Sequence, residues 1–364
     1  MAVVVFYYAG TSEVAWLYLL AYWIAALIVA AFLYHLWNRG LRGEIVVRGY
    51  THAPGSPMEV LPDAVINARP AHRAFEGDTI LVDLTLVSSR GTRGPASLKG
   101  SIAGTYLGTA AGVISKAGWV ERKPVGPARR GPFMTGGWVV DSTDLLGLFR
   151  DRGRKAEERE IALVLPTFTS LGSRLRVREL ETSMASSRAG SGTELFGVRE
   201  YRSGDPLRRI HWRSTARRGE LIVREYEPPG IQSLGIFCDP VPPTREAADL
   251  IARLAASEAW DCVRNGGRAI LWAPGAEPSA YNESKSIWAL LEWLARYPSP
   301  VEGLISEPPR VSDAVAVVAS DNPQIVDALE GAKQRGAGIR AWVVGDAELN
   351  VDAPVQRMGI VWPG

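Results

Sequence analysis

The apolar positions along this chain obey three rules in turn. From Val14 to Trp37 they run unbroken, with no Asp, Glu, Lys or Arg in the stretch. As a helix rising about 1.5 Å per residue, this run crosses a ~30 Å hydrocarbon layer with some tilt. Trp16, Tyr18, Tyr22 and Trp23 stand toward one end and Tyr34 and Trp37 at the other, as interfacial aromatic belts do. A buried core helix is the alternative reading. A cleavable leader fits poorly, because no Lys or Arg precedes the run and the run is too long. Residues 1–40 are therefore expected to form a single-pass membrane anchor. Ala2–Ala9 is also apolar but too short to cross, and can be read as the tail of a first helix starting upstream.

Charge at the two flanks sets the orientation. Arg39, Arg42 and Arg48 follow the run, whereas Glu13 is the one charged side chain before it. The positive-inside rule then places the bulk of the chain, beyond residue 40, in the cytoplasm.

Over residues 44–170 the period becomes two. Ile80, Val82, Leu84 and Leu86 alternate with more polar neighbours such as Asp83 and Thr85, the signal of a half-buried strand. Further short strands are expected at Glu44–Tyr50, Ser101–Leu107, Gly112–Glu121, Gly137–Asp141 and Glu160–Leu165. Clusters such as Ala53-Pro-Gly-Ser-Pro57 and Ser89-Arg-Gly91 separate them. Many short strands with regular turn punctuation predict an immunoglobulin-like β-sandwich. Residues 171–192, rich in Ser, Arg and Gly, read as a linker.

From residue 231 to 364 strands and helices alternate. Strands are expected at Ile231–Cys238, Arg268–Ala273, Ala314–Ala319 and Ile339–Val344, with an edge strand at Met358–Trp362. Helices are expected at Thr244–Asn265, with Ile251, Ala255, Ala259 and Cys262 on one face, at Glu283–Tyr297 and at Pro323–Arg335. This order, with near-continuous apolar strands, predicts an α/β domain built on a parallel sheet covered on both faces.

Composition narrows the function classes. The 364 residues suffice for two soluble domains beside the anchor. The 41 basic and 39 acidic side chains nearly cancel, so no global field draws the chain to nucleic acid. Cys238 and Cys262 are too few for a disulfide framework or a zinc ribbon, and read as buried thiols in a reducing compartment. No phosphate-binding glycine loop, nucleophile elbow or H-E-x-x-H is present. His35, His52, His72 and His211 show no ligand spacing. Cys238 beside Asp239 has no local His to activate it as a nucleophile.

The segment 193–230 is the densest in local signals. Gly204 suits a turn, Asp205 an N-cap and Pro206 the first helical position. A helix Pro206–Arg218 would then end at Gly219 in the left-handed conformation, followed by a strand Leu221–Tyr226. Arg208 and Trp212 are expected to share the inward face with Thr215. Arg209, Arg213 and Arg217 form a basic stripe. Three readings of the stripe stay open: a clamp onto Glu200, Glu225 and Glu227, a docking surface for an acidic partner, or contact with nucleic acid.

Two stretches carry a family likeness. In Gly192–Glu227, Tyr201, Gly204, Asp205, Pro206, Arg208, Ile210 and Trp212 fit a Y-x-x-G-D-P-x-R-x-I-x-W core, and Ala216 and Arg217 the pair that follows. Arg130–Arg150 is similar to an R-G…D-P-x-G-L-F element, with Leu145 where proline is usual. The chain thereby resembles the domain-of-unknown-function 58 family of von Willebrand factor A-like proteins. That resemblance implies a non-enzymatic membrane adaptor working with a MoxR-type AAA ATPase on a client protein. Metal-binding A domains present Asp-x-Ser-x-Ser after their first strand. Here Asp239-Pro-Val-Pro-Pro243 places Val241 and Pro243 at the serine positions. No cofactor is expected, with Mg²⁺ the one candidate, at Asp239 and Asp321 aided by Thr244 and Ser320. A metal-dependent hydrolase using Asp239 and Asp321 is the rival reading. Otherwise both are solvated loop carboxylates, one of them capping the Pro323 helix.

Overall fold

The structure is a computed structural model describing residues 2–12, 15–153, 156–171, 195–200, 210–226, 233–299, 301 and 303–359. It divides into two units, Met1–Leu165 and Pro166–Gly364.

The first unit begins with helices α1 (Ala2–Ser12) and α2 (Ala15–Trp37). Among the described residues, α2 is the one helix long and apolar enough to cross a membrane, over Trp16–Trp37 with a mean hydropathy of 2.2. The shorter α1 lies back along it, with the Phe6 ring 5.5 Å from Tyr18 and 6.4 Å from Tyr22.

Strands follow: β1 (Leu41–Thr51), β2 (Arg73–Phe75), β3 (Thr79–Ser88), β4 (Ala96–Ile102) and β5 (Thr105–Ala111). Then come β6 (Trp119–Val125), β7 (Gly131–Thr143), β8 (Arg150–Arg152) and β9 (Arg159–Leu165), with a short helix α3 (Asp63–Asn67) between β1 and β2. They make two sheets, β1-β3-β6 and β2-β9-β7-β4-β5, the latter carrying β8 on β7. All pairs are antiparallel except β2 with β9. Strict alternation in β3 sends Ile80, Val82, Leu84 and Leu86 into one core, where Leu98, Ile102, Phe133, Trp138 and Val164 of the other sheet meet them. Gly100 is required there, because a Cβ would fall 2.3 Å from the Trp138 ring.

Two expected strands are corrected. Ser101–Leu107 straddles a hairpin: β4 ends at Ile102, and Ala103 and Gly104 turn with φ of 47° and 80°. Gly112–Glu121 spans a loop that ends at Gly118, at φ 85°, before β6 starts at Trp119. The reversals rest on short signals, Ala103-Gly104 and Ala117-Gly118, with strand-forming residues close on both sides.

In the second unit, β10 (Leu195–Glu200) pairs antiparallel with β11 (Ile222–Tyr226), and helix α4 (Trp212–Arg218) lies between them in sequence. A five-stranded sheet follows, of β12 (Ser233–Cys238), β13 (Arg268–Trp272), β14 (Asp313–Val318), β15 (Gly338–Val344) and β16 (Val355–Met358). Its order is β13-β12-β14-β15-β16 and every pair is parallel. Helices α5 (Arg245–Arg264), α6 (Ile287–Arg296) and α7 (Pro323–Gln334) connect the strands. Phe237, Ala316, Val318 and Val343 pack with Ile325 and Leu329 of α7. On the opposite face Arg340 and Trp342 reach Glu258 of α5.

Boundaries follow the caps. Thr244 Oγ1 accepts from Ala247 N at 3.1 Å and starts α5. The helix expected from Glu283 begins at Ile287, because Tyr281–Glu283 closes a 3₁₀ turn and Ser286 is the N-cap. The last strand pairs at Val355–Met358, earlier than Met358–Trp362, and residues 360–364 lie outside the described residues.

Candidate functional site

Strand order alone marks one place on the parallel sheet. Chain order reverses at β12, whose neighbours are β13 on one side and β14 on the other. Open α/β sheets bind ligands at such a reversal, outside the carboxyl ends of the strands. Asp239 follows β12 and Ser320 follows β14 at this point.

Asp239 is fully buried, contrary to the expectation of a solvated loop carboxylate. Its Oδ1 accepts from Val241 N at 3.0 Å. Its Oδ2 accepts from Ala319 N at 3.1 Å and from the Ser320 hydroxyl at 2.6 Å. Its backbone is held as well, by Asp239 N donating to Val317 O and the Tyr297 hydroxyl donating to Asp239 O. A buried carboxylate needs such donors, and two of these are backbone amides. Asp321, by contrast, is exposed and makes no bond to Asp239 among the described residues. Neither does Asp321 cap α7; Asn322 does, accepting from Gln324 N at 3.0 Å. Thr244 spends its hydroxyl oxygen on the α5 cap. Among the described residues no three His, Cys, Asp or Glu side chains gather as a metal would require. The arrangement ties two strand ends together and leaves no exposed carboxylate oxygen on Asp239 for a ligand or a proton transfer.

The arginine-rich segment is built differently. Ile210 and Ile222 are buried, and His211 N donates to Ile222 O at 2.7 Å. Ile210 forms a β-bridge, and the helix runs over Trp212–Arg218, inside the expected Pro206–Arg218 span. Thr215 Oγ1 accepts from Ile222 N at 3.0 Å, fastening α4 to the start of β11. Gly219, at φ 75°, ends the helix as expected, its N–H bonded to Thr215 O. Trp212 is 65 % exposed, so it does not share an inward face with Thr215. Arg213 and Arg217, one helical turn apart, are exposed too. Tyr201, Gly204, Asp205, Pro206, Arg208, Arg209 and Glu227 lie outside the described residues, as do the side chains of Glu200 and Glu225.

Residues 197–296 match the family model for Protein of unknown function DUF58. No curated protein matches the chain. The DUF58 match spans from β10 through α4, β11, β12, α5 and β13 to the last residue of α6. It therefore takes in Trp212, Arg213, Arg217 and Asp239, and stops before Ser320 and Asp321.

Two acidic side chains of α5, within the matched residues, hold distant partners. Glu258 of α5 accepts from Arg340 Nη2 at 2.6 Å and Trp342 Nε1 at 2.7 Å. Farther along the same helix Asp261 accepts from the Ser170 hydroxyl at 2.7 Å and Leu171 N at 2.9 Å. Partners some 80 to 90 residues away cannot be read from local spacing. A glutamate amid alanines on the apolar face of a helix was the available hint.

Proposed function

We propose that this chain is a membrane-anchored adaptor that docks a MoxR-type AAA ATPase and handles a client protein. The observation that carries the docking surface is the exposure of Trp212, Arg213 and Arg217 on one short helix fastened to β11 through Thr215. Tryptophan and arginine dominate interface hot spots, and this helix exposes one tryptophan and two arginines. The bonding of Asp239 supports an adaptor over a hydrolase, since neither Oδ atom is open to substrate. In this reading the two-sheet region is immunoglobulin-like and the parallel-sheet region von Willebrand factor A-like. The basic flank Arg39, Arg42 and Arg48 supports a cytoplasmic placement of both.

Two experiments test the proposal. Capture of a MoxR-type ATPase from solubilised membranes by the tagged full chain is expected, and loss of that capture in Trp212→Ala/Arg213→Ala is the specific outcome. Capture unaffected by both substitutions would remove this surface from the proposal. For sidedness, expression in a eukaryotic host should leave the Asn282-Glu-Ser sequon unglycosylated; a glycan there would reverse the orientation.

A further inference from the structure

The first unit carries an apolar loop next to α2. Helix α2 is seated on the sheets by several bonds. Asn38 Oδ1 accepts from Gly94 N at 2.7 Å, and its amide donates to Thr143 O at 3.1 Å and Pro95 O at 3.3 Å. The Arg93 guanidinium lies 4.2 Å over the Trp37 ring and donates to Trp37 O, closing the helix. The Tyr34 hydroxyl donates to Gly94 O.

Between β7 and β8, residues Asp144-Leu-Leu-Gly-Leu-Phe149 return beside this junction. The Phe149 ring stands 5.5 Å from Phe32 and 5.9 Å from His35. Phe32 precedes Trp37, the last helical residue, by roughly 7 Å along the axis at ~1.5 Å per residue. Phe149 thus sits alongside the final turns of the membrane-length helix and not beneath its end. Leu145, Leu146 and Leu148 around it are 72 %, 54 % and 56 % exposed.

The backbone of this loop is closed on itself. The buried Asp144 carboxylate accepts from Leu146 N at 2.9 Å and Phe149 N at 2.6 Å. Gly147 N donates to Asp144 O, and Asp144 N to Phe149 O, both at 3.2 Å. An Asp carboxylate that bonds the amides after it fixes a tight turn, and this one holds the leucines in a defined place. The loop holds three leucines outward on a turn fixed by Asp144, beside the last turns of α2.

We infer that Leu145, Leu146 and Leu148 insert into the acyl–headgroup boundary of the bilayer that α2 crosses, as a second membrane contact fixing the tilt of the unit. The inference rests on the anchor reading of α2, and the test separates the two. The photoreactive residue p-benzoylphenylalanine is placed, one position at a time, at Leu146, at Trp23 in the middle of α2, and at Tyr106. Tyr106 is exposed by the β4–β5 turn, at the far end of β4 from Pro95. The full chain is reconstituted in phosphatidylcholine–phosphatidylglycerol vesicles, irradiated, and analysed by mass for phospholipid adducts. Adducts at 146 and 23 but not at 106 are expected. Adducts at 23 with none at 146, or with 146 linked to protein instead of lipid, overturn the inference and leave the anchor intact. No adduct at 23 overturns the anchor, and the inference falls with it.

Discussion

The Ser320 hydroxyl donates to Asp239 Oδ2 at 2.6 Å, joining the loops that follow two adjacent parallel strands. With Ala319 N on the same oxygen and Val241 N on the other, Asp239 is a structural tie. Asp239→Asn turns one acceptor into a donor and leaves buried donors unpaired, at a cost of about 1–3 kcal/mol each. A clear fall in melting temperature is therefore expected, with a smaller one for Ser320→Ala. Calorimetry on the same protein should show no Mg²⁺ or Mn²⁺ binding tighter than about millimolar, the range of weak oxygen sites. Micromolar binding that Asp239→Ala abolishes would restore the hydrolase reading.

Glu258 makes a comparable prediction on the other face of the sheet. Removing it in Glu258→Ala leaves the Arg340 guanidinium, largely enclosed, without the carboxylate 2.6 Å away. Breaking a buried pair from one side costs about 3–5 kcal/mol. Chemical denaturation should show most of that loss. Glu258→Gln, which keeps an acceptor for the Trp342 indole, should lose less. Equal loss in both would show that packing of the side chain, and not its charge, is what matters.

How much of this was legible depended on how local the signal was. The alternation of Ile80–Leu86 and the apolar runs Leu234–Cys238 and Ala314–Val318 declared their strands, because burial on one face or two is written in the period. Gly219 declared a helix stop for a similar reason. The β4–β5 turn did not, since Ala103-Gly104 is a weak turn signal with strand-forming residues on both sides. The role of Asp239 was hidden too: its donors include Ala319 and Ser320, brought close only by parallel pairing of β12 and β14. Trp212 was misjudged because helical spacing groups residues on a face without saying which face is covered. Ile210, just before the helix, is buried, and Trp212 is not.

That shift changes what substitutions in the segment should do. Ile210→Ala removes a buried side chain and should cost about 2–5 kcal/mol. Thr215→Ala, which unpairs Ile222 N, should cost about 1 kcal/mol. Trp212→Ala, Arg213→Ala and Arg217→Ala, all exposed, should leave melting nearly unchanged. Capture of the partner should follow the opposite order. Equal thermal losses at all five positions would make the segment wholly structural and retire the docking surface.

The last prediction concerns the thiols. Burial, with a smaller contribution from the nearby Glu258 carboxylate, pushes the Cys262 thiol up to about 12, and Cys238 is fully buried in β12. Neither is in a disulfide. Only the thiolate attacks a disulfide reagent. At pH 8 a thiol titrating near 12 is ionised on the order of 10³-fold less than one at the ordinary ~8.5. Native protein should therefore label with 5,5′-dithiobis(2-nitrobenzoic acid) slowly at both positions, and denatured protein fast at both. The sign of the linked stability effect follows. The folded state holds the Cys262 proton more tightly, so its contribution is intact below the unfolded value. It is lost as pH rises from ~8.5 toward about 12. Cys262→Ala should flatten that alkaline loss. The check is the midpoint of urea unfolding between pH 8 and 11, wild type against variant. Identical slopes, or native Cys262 labelling as fast as in the unfolded chain, would contradict the enclosure of this thiol between α5 and the sheet.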